Sequence, residues 1–567
     1  MENPESPETA VSNWPGERRP TQEEVQQASE LPDRSFMTQF KKALLNHEDS
    51  KGYRELLDRH PMWPHYGDGL EQQSTTKRTF TYPMSLLADF PELPPSNDLK
   101  QLRSVFSTAY GSQIHVKELA IAGSADAALP PYLLIAFACI GSTLYHTMPA
   151  SDGRRSGPDL GSRQLARDLF YAGYQLSTFM VEVDNRLSRT LETVLGIALL
   201  TTYGILAADH YACRLAESMF TYGLTMARGL RVFDVGSRAR YGADLGANGT
   251  TSSVPGPYTS RFKRATPFMR LLISSRSVAY YLFLIDTVRA INRGTTTFVS
   301  PTELSIALNS TSTDFRDLYG RLFFPLSIPN TAVAKDEDAM LLLTALLSDL
   351  LLAHRLTLAA GPPRITTPPD LQHQAQLLPP CNPFVPFSPL MERKRLQGKL
   401  SDALTNWHEL YSREAIPETM AFYYYCRLLL VCPQLLELPQ LAHHMPVPAR
   451  PPNIYMHYRQ WIAVPAEAHR LAWKILDHST TPLGTSHASV TAIWLPPMVF
   501  QAGLAVWQYM TATSSKEVTS FRMLEPFVRE LEKMPWPCCV EMVATFKGLP
   551  ALQVDDLHLP GARYTDV

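Results

Sequence analysis

No cysteine stands before Cys139 in this 567-residue chain, and only seven occur in all, at 139, 213, 381, 426, 432, 538 and 539. A zinc module needs four to six cysteines or histidines at short fixed spacing, because tetrahedral coordination has to organise a small fold around the ion. None of the seven keeps such company, so no zinc cluster or finger is encoded. A sparse, odd set placed inside apolar runs is cysteine used as a small hydrophobe in a reducing compartment. The sequons at Asn248 and Asn309 then read as chance matches.

An excess of charge of one sign is missing as well: 52 Lys and Arg face 54 Asp and Glu, a net −2, which gives no global pull toward nucleic acid or acidic membranes. Long apolar runs are absent. The best candidate, Tyr132–Tyr145, falls short of the roughly 20 residues a membrane span needs and reads as a buried helix. The first twenty residues are polar and proline-rich, without the apolar centre of a signal peptide. No strand-like alternation of useful length and no internal repeat is found. Nucleotide and nucleophile motifs are missing: no Walker lysine follows a glycine loop, GADLGANGT at 242–250 follows no strand, and there is no G-x-S-x-G elbow. Asp477 and His478 lie near Ser486 and His487, but a triad is made by geometry and not by closeness in sequence. His60 and His65 in HPMWPH have no acidic or thiol partner to complete a metal site.

What is present is helical periodicity. Residues 1 to about 34 read as disordered, Ser35–Leu57 carries short helical patterns, and the stretch to Pro95 is a linker. From there Leu165, Leu169, Ala172, Leu176 and Phe179 form one face of a helix. Leu191–Ala207 is apolar nearly all round and should lie at the centre. Asp209 is placed to cap the next helix, whose small residues allow close approach. Arg231–Arg270 is a Gly/Ser-rich loop holding seven Lys and Arg, best read as a solvated insertion. Met340–Leu356 is a further buried-type helix. Among 46 prolines a cluster at 361–390 excludes regular helix and separates two helical halves. Leu396, Leu400, Ala403, Leu404, Trp407 and Leu410 restart the pattern, followed by the aromatic run 420–435, Gln460–Leu476 and 496–510. The fold class expected is all-α, organised as 1–95, 96–358, a linker 359–390, and 391–567.

The most informative stretch is Leu271–Leu304. Val278, Tyr281, Leu282, Ile285 and Val288 fall at helical spacing, yet Arg276 and Asp286 sit inside the same run. Buried charges persist only when paired or fully hydrogen-bonded, so both need partners. Arg289 and Asn292 continue the polar stripe, and Gly294 ends the helix. This arrangement resembles the middle homology region of fungal-specific transcription factors: Arg276, Tyr280, Phe283, Asp286 and Gly294 stand at that family's spacing. Ser275 replaces a first arginine, Tyr280 a tryptophan, and Thr295-Thr296 an Arg-Pro pair. The flanking LETVLGIALLTTYG and MARGLRVF stretches strengthen the resemblance. PFSPLMERKRLQGKLSDALTNW and FYYYCRLLLVCP extend it toward the subgroup that carries two-Cys two-His fingers.

The resemblance implies a nuclear regulator of transcription controlling a secondary-metabolite or catabolic gene set. It implies no enzyme activity and an architectural role for the five motif residues. Its partners would be other transcription regulators or a second copy of the chain, with a small-molecule effector, no membrane, and DNA reached through a partner. Zinc, expected in the family, has no ligand set here. The alternatives are an all-α enzyme or small-molecule-binding protein of a biosynthetic pathway, and a partner of another regulator that does not itself touch DNA.

Overall fold

The computed structural model describes residues 90–110, 129–147, 161–183, 190–234, 275–306, 314–324, 336–359, 389–444, 464–480, 492–513 and 521–555, with single gaps at 92, 130 and 443. Fifteen α-helices run through these residues, and the only extended pairing among them is an isolated bridge between Asp234 and Ser305. The chain is all-α. The expectations for residues 1–89, for most of the basic loop and for 360–388 lie outside the described residues, as do Ser486 and His487.

Helices α1 (Ser96–Val105), α2 (Pro131–Leu144), α3 (Arg163–Val183), α4 (Leu191–Ile205) and α5 (His210–Gly229) precede α6 (Ser275–Arg293). They are followed by α7 (Phe315–Phe323) and α8 (Asp336–Ala359). Beyond residue 388 come α9 (Pro389–Tyr411), α10 (Pro417–Val431), the single turn α11 (Leu438–Leu441) and α12 (Ala466–Ser479). The last three are α13 (Leu495–Thr513), α14 (Glu525–Lys533) and α15 (Cys538–Asp555). None of the described helices is long and apolar enough to cross a membrane.

Apolar-all-round sequence puts α4 at the centre: every residue from Thr193 to Ile205 is buried. Thr190 caps it by accepting from the Thr193 amide. The carboxylate of Asp209 caps α5 through the Tyr211 amide at 2.9 Å, as its position in the sequence suggests. Small residues then let α5 lie close on α4. A Cβ at Gly204 would sit 2.3 Å from the Ala216 methyl, and one at Gly223 would meet Ile197 at 2.7 Å. The tightest approach joins α1 to α2, where Gly141 rests directly on the Leu102 carbonyl.

The α5 helix ends without a glycine where one is expected. Arg231 takes a left-handed φ of 55°, while Val232 N–H reaches the Ala227 carbonyl at 2.9 Å and Arg231 N–H the Arg228 carbonyl at 3.0 Å. That is the double bond pattern of a glycine-type helix end, held by a residue with a Cβ. Arg231→Gly is expected to raise the unfolding free energy by about 0.5–1 kcal/mol. Denaturant titration checks this, and a loss of stability would show that the Arg231 side chain holds something the turn needs.

The helices on either side of residues 360–388 share one core. Buried Trp407 of α9 donates its indole N–H to the Ala339 carbonyl of α8 at 2.9 Å. Gln501 of α13 donates to the Ile291 carbonyl at the end of α6 (3.1 Å) and accepts from the Tyr425 hydroxyl of α10 (2.6 Å). One detail of the α9 stripe differs from its sequence pattern. Leu400, Ala403, Leu404 and Trp407 are buried, but Leu410 is 40% exposed and Tyr411 takes the buried place. The inward face advances from 407 by four residues to 411, where the Tyr411 ring packs on Trp407 at 5.7 Å.

Candidate functional site

The motif residues all lie on α6 or immediately after it. All of α6 from Val278 to Ile291 is buried, with Phe283 wholly enclosed and Tyr280 nearly so. Gly294 adopts φ +58°, its amide reaching the Ile291 carbonyl at 3.3 Å and the Thr295 amide reaching Ala290 at 3.0 Å. A residue with a Cβ would be strained there and would also press on the Leu436 carbonyl at 3.1 Å.

Asp286 has no solvent contact, and both of its oxygens are filled. One accepts from Arg289 Nε at 3.0 Å and Nη2 at 2.8 Å. The other accepts the backbone amides of Phe298 at 2.5 Å and Val299 at 2.7 Å. Burial pushes the Asp286 carboxyl up, against the pull of the Arg289 guanidinium and the two amides. Arg289 gives two further N–H donors to Thr295 Oγ1 (3.1 Å) and the Thr296 carbonyl (2.8 Å), and its guanidinium lies 3.8 Å from the centre of the Phe298 ring. The pair therefore straps the segment after the helix back onto it.

Arg276 and Asp286 sit in one apolar run and both need partners, and the structure gives each a different one. Ten residues correspond to roughly 15 Å of helix, too far for contact. Arg276 is 22% exposed and faces Asp338 of α8 at 3.7 Å. The partner of Asp286 is Arg289, one turn away. Asn292, also on the polar stripe, donates to the Ile205 carbonyl at the end of α4 at 2.9 Å.

Two more arginines hold the strapped segment. Arg228, at the end of α5, forms a two-pronged ion pair with Glu303 (2.9 and 3.0 Å) and also donates to the Phe298 carbonyl at 2.7 Å. Arg316 reaches the carbonyls of Thr302 (2.6 Å) and Leu304 (3.1 Å). Ser300 and Glu303 form a reciprocal capping box. Phe298 is left 45% exposed, with its amide and its carbonyl both bonded to charged side chains. Ser300-x-x-Glu303 has the spacing of a capping box, but the arginine bonds to the Phe298, Thr302 and Leu304 carbonyls have no signature in the sequence.

A second polar set threads the core. The Thr202 hydroxyl donates to the Ala198 carbonyl at 2.9 Å, so its oxygen accepts from Tyr281 at 2.7 Å, and Tyr281 in turn meets Tyr110 at 3.4 Å. Tyr110 is carried by a π-helical turn, Phe106–Tyr110, that continues α1. Burial pushes the Cys139 and Cys426 thiols far up and Cys432 to about 12, and Cys538 is raised well up by its hydrogen bond with Cys539 and by burial. Cys213 is raised by burial despite a guanidinium contact from Arg293 at 3.1 Å. Thiols held this way are neutral and poor nucleophiles at neutral pH.

Tyr423, Tyr424 and Tyr425 serve packing: Tyr423 stacks on Trp407 at 5.4 Å and Tyr424 on His478 at 5.1 Å. Among the described residues no group of three His, Cys, Asp or Glu side chains is arranged to hold a metal ion. The chemistry available around α6 is therefore positional: charges committed to fixing backbone, with no oxygen of Asp286 left for a substrate. No protein-family model, no curated protein and no solved structure matches this chain.

Proposed function

We propose that the chain is a regulator of transcription of the fungal type, working in the nucleus through its helical body, with DNA reached through a partner regulator. The observation that supports this most is the set of bonds around Asp286. The resemblance implies that Asp286 and Gly294 are architectural, and their geometry supports that reading: the carboxylate accepts from the Phe298 and Val299 amides, and the glycine takes the left-handed turn before them. A helix whose central buried charges, Asp286 and Arg289, go to holding the chain that follows it suits a molecule that positions other molecules.

The test has two arms. The full chain, fused to an unrelated sequence-specific DNA-binding domain, is expected to change expression of a reporter bearing that domain's site. Purified unfused chain is expected to shift no duplex fragment tightly and selectively. An inert fusion that accumulates normally would overturn the regulatory reading. Site-selective binding by the chain alone would overturn the claim that DNA is reached through a partner.

A further inference from the structure

We propose that His444 is the trigger of a pH-sensitive latch that fastens α15 to the body of the fold and loosens it on acidification. His444 follows α11, its amide bonded to the Pro439 carbonyl at 2.9 Å. Its Nδ1 lies 2.9 Å from the Thr545 hydroxyl on α15. That hydroxyl has one proton and gives it to the Glu541 carbonyl at 2.8 Å, so its oxygen accepts from His444. The neutral ring therefore carries its hydrogen on Nδ1, and Nε2 is bare. One face of the ring packs against Phe500 of α13 at 4.4 Å, and Phe500 packs on Phe546 of α15 at 5.1 Å. The histidine thus sits where α11, α13 and α15 meet, and α15 is tied at its start to the end of α4 through Cys538 N–H and the Leu206 carbonyl at 2.8 Å.

The groups around it make a second charge unwelcome. His210, on the first turn of α5, faces His444, while α13 presents the apolar Phe500. Glu541 on α15 lies toward His210 and Asp209, and burial raises its carboxyl, so its own protonation favours the closed state and offsets part of the loosening that His444 drives. Burial, helped by His210, pushes His444 down to about 4. Once α15 lifts away, the ring returns to about 6.5. Part of His444 stays in contact with solvent, so a proton can reach it without global unfolding.

The sign follows from a lowered folded-state value. The latch is fully closed above about pH 6.5 and weakens as pH falls toward 4. Between pH 7.5 and pH 5.0 the open fraction of α15 is expected to rise by up to roughly thirtyfold, the value His444 alone would give, reduced by what Glu541 returns. Hydrogen exchange of the full chain at the two pH values, corrected for intrinsic exchange, reads this directly. Peptides from α15 are expected to lose protection by more than about fivefold and up to that factor, and peptides from α4 by less than about threefold. His444→Gln keeps a donor but does not titrate, and it is expected to bring the α15 ratio below about threefold, whatever it does to absolute protection. His210→Gln, at an exposed position, is expected to lower the ratio part-way. Equal loss in α4 and α15, or an unchanged ratio in both variants, would overturn the latch.

Discussion

Asp286→Ala is expected to lower the unfolding free energy by about 3–5 kcal/mol, one of the largest effects of any single substitution in the described core. The reason is what stays behind. Arg289 is 3% exposed and loses the carboxylate that neutralises it, and the amides of Phe298 and Val299 lose their acceptor. Denaturant titration of the variant gives the number. Asp286→Leu with Arg289→Met removes both charges together and is expected to recover much of the loss, because two well-packed apolar side chains replace a stranded ion. Recovery would be incomplete, since the segment from Thr295 to Val299 loses its straps in either case. A melt unchanged by Asp286→Ala would mean that the carboxylate is not the anchor described here.

Gly141→Ala is expected to cost roughly 3 kcal/mol, at the upper end for over-packing by one methyl group. The added carbon would lie 1.9 Å from the Leu102 carbonyl oxygen and 2.7 Å from its carbon. These are backbone atoms of a helix, so no rotamer can move aside, and α1 and α2 have to separate. Gly398→Ala is the natural control. Gly398 is also inside a helix, but a Cβ there meets nothing within 4 Å. That change is expected to stabilise by up to about 1 kcal/mol through helix propensity alone. If the two substitutions behave alike, the close contact of α1 and α2 is wrong.

The helices were legible because burial imposes a period on the sequence, and α4 is the clearest case, where apolar residues on every side could only mean the centre. The partners of the charges were not. Asp286 has Arg289 at i+3, a spacing that places two side chains on one face, yet the motif draws the eye to Arg276 ten residues back. The segment from Thr295 to Leu304 was opaque for another reason: its shape is set by carbonyls and amides answering Arg228, Arg289 and Arg316. Gly294 could be read as a helix end because only glycine takes that φ freely. Arg231 could not, since Gly229 two residues earlier looks like the better stop and the chain passes through it still helical.

Trp407 on Ala339 and Gln501 on Ile291 have a practical corollary. Each joins a residue before position 360 to one after position 388, so cohesion across that stretch does not depend on the peptide link. Produced as two polypeptides, 1–359 and 389–567, the fragments should find each other and co-elute as a stoichiometric complex, whereas either one alone should precipitate with its apolar inner surface bare.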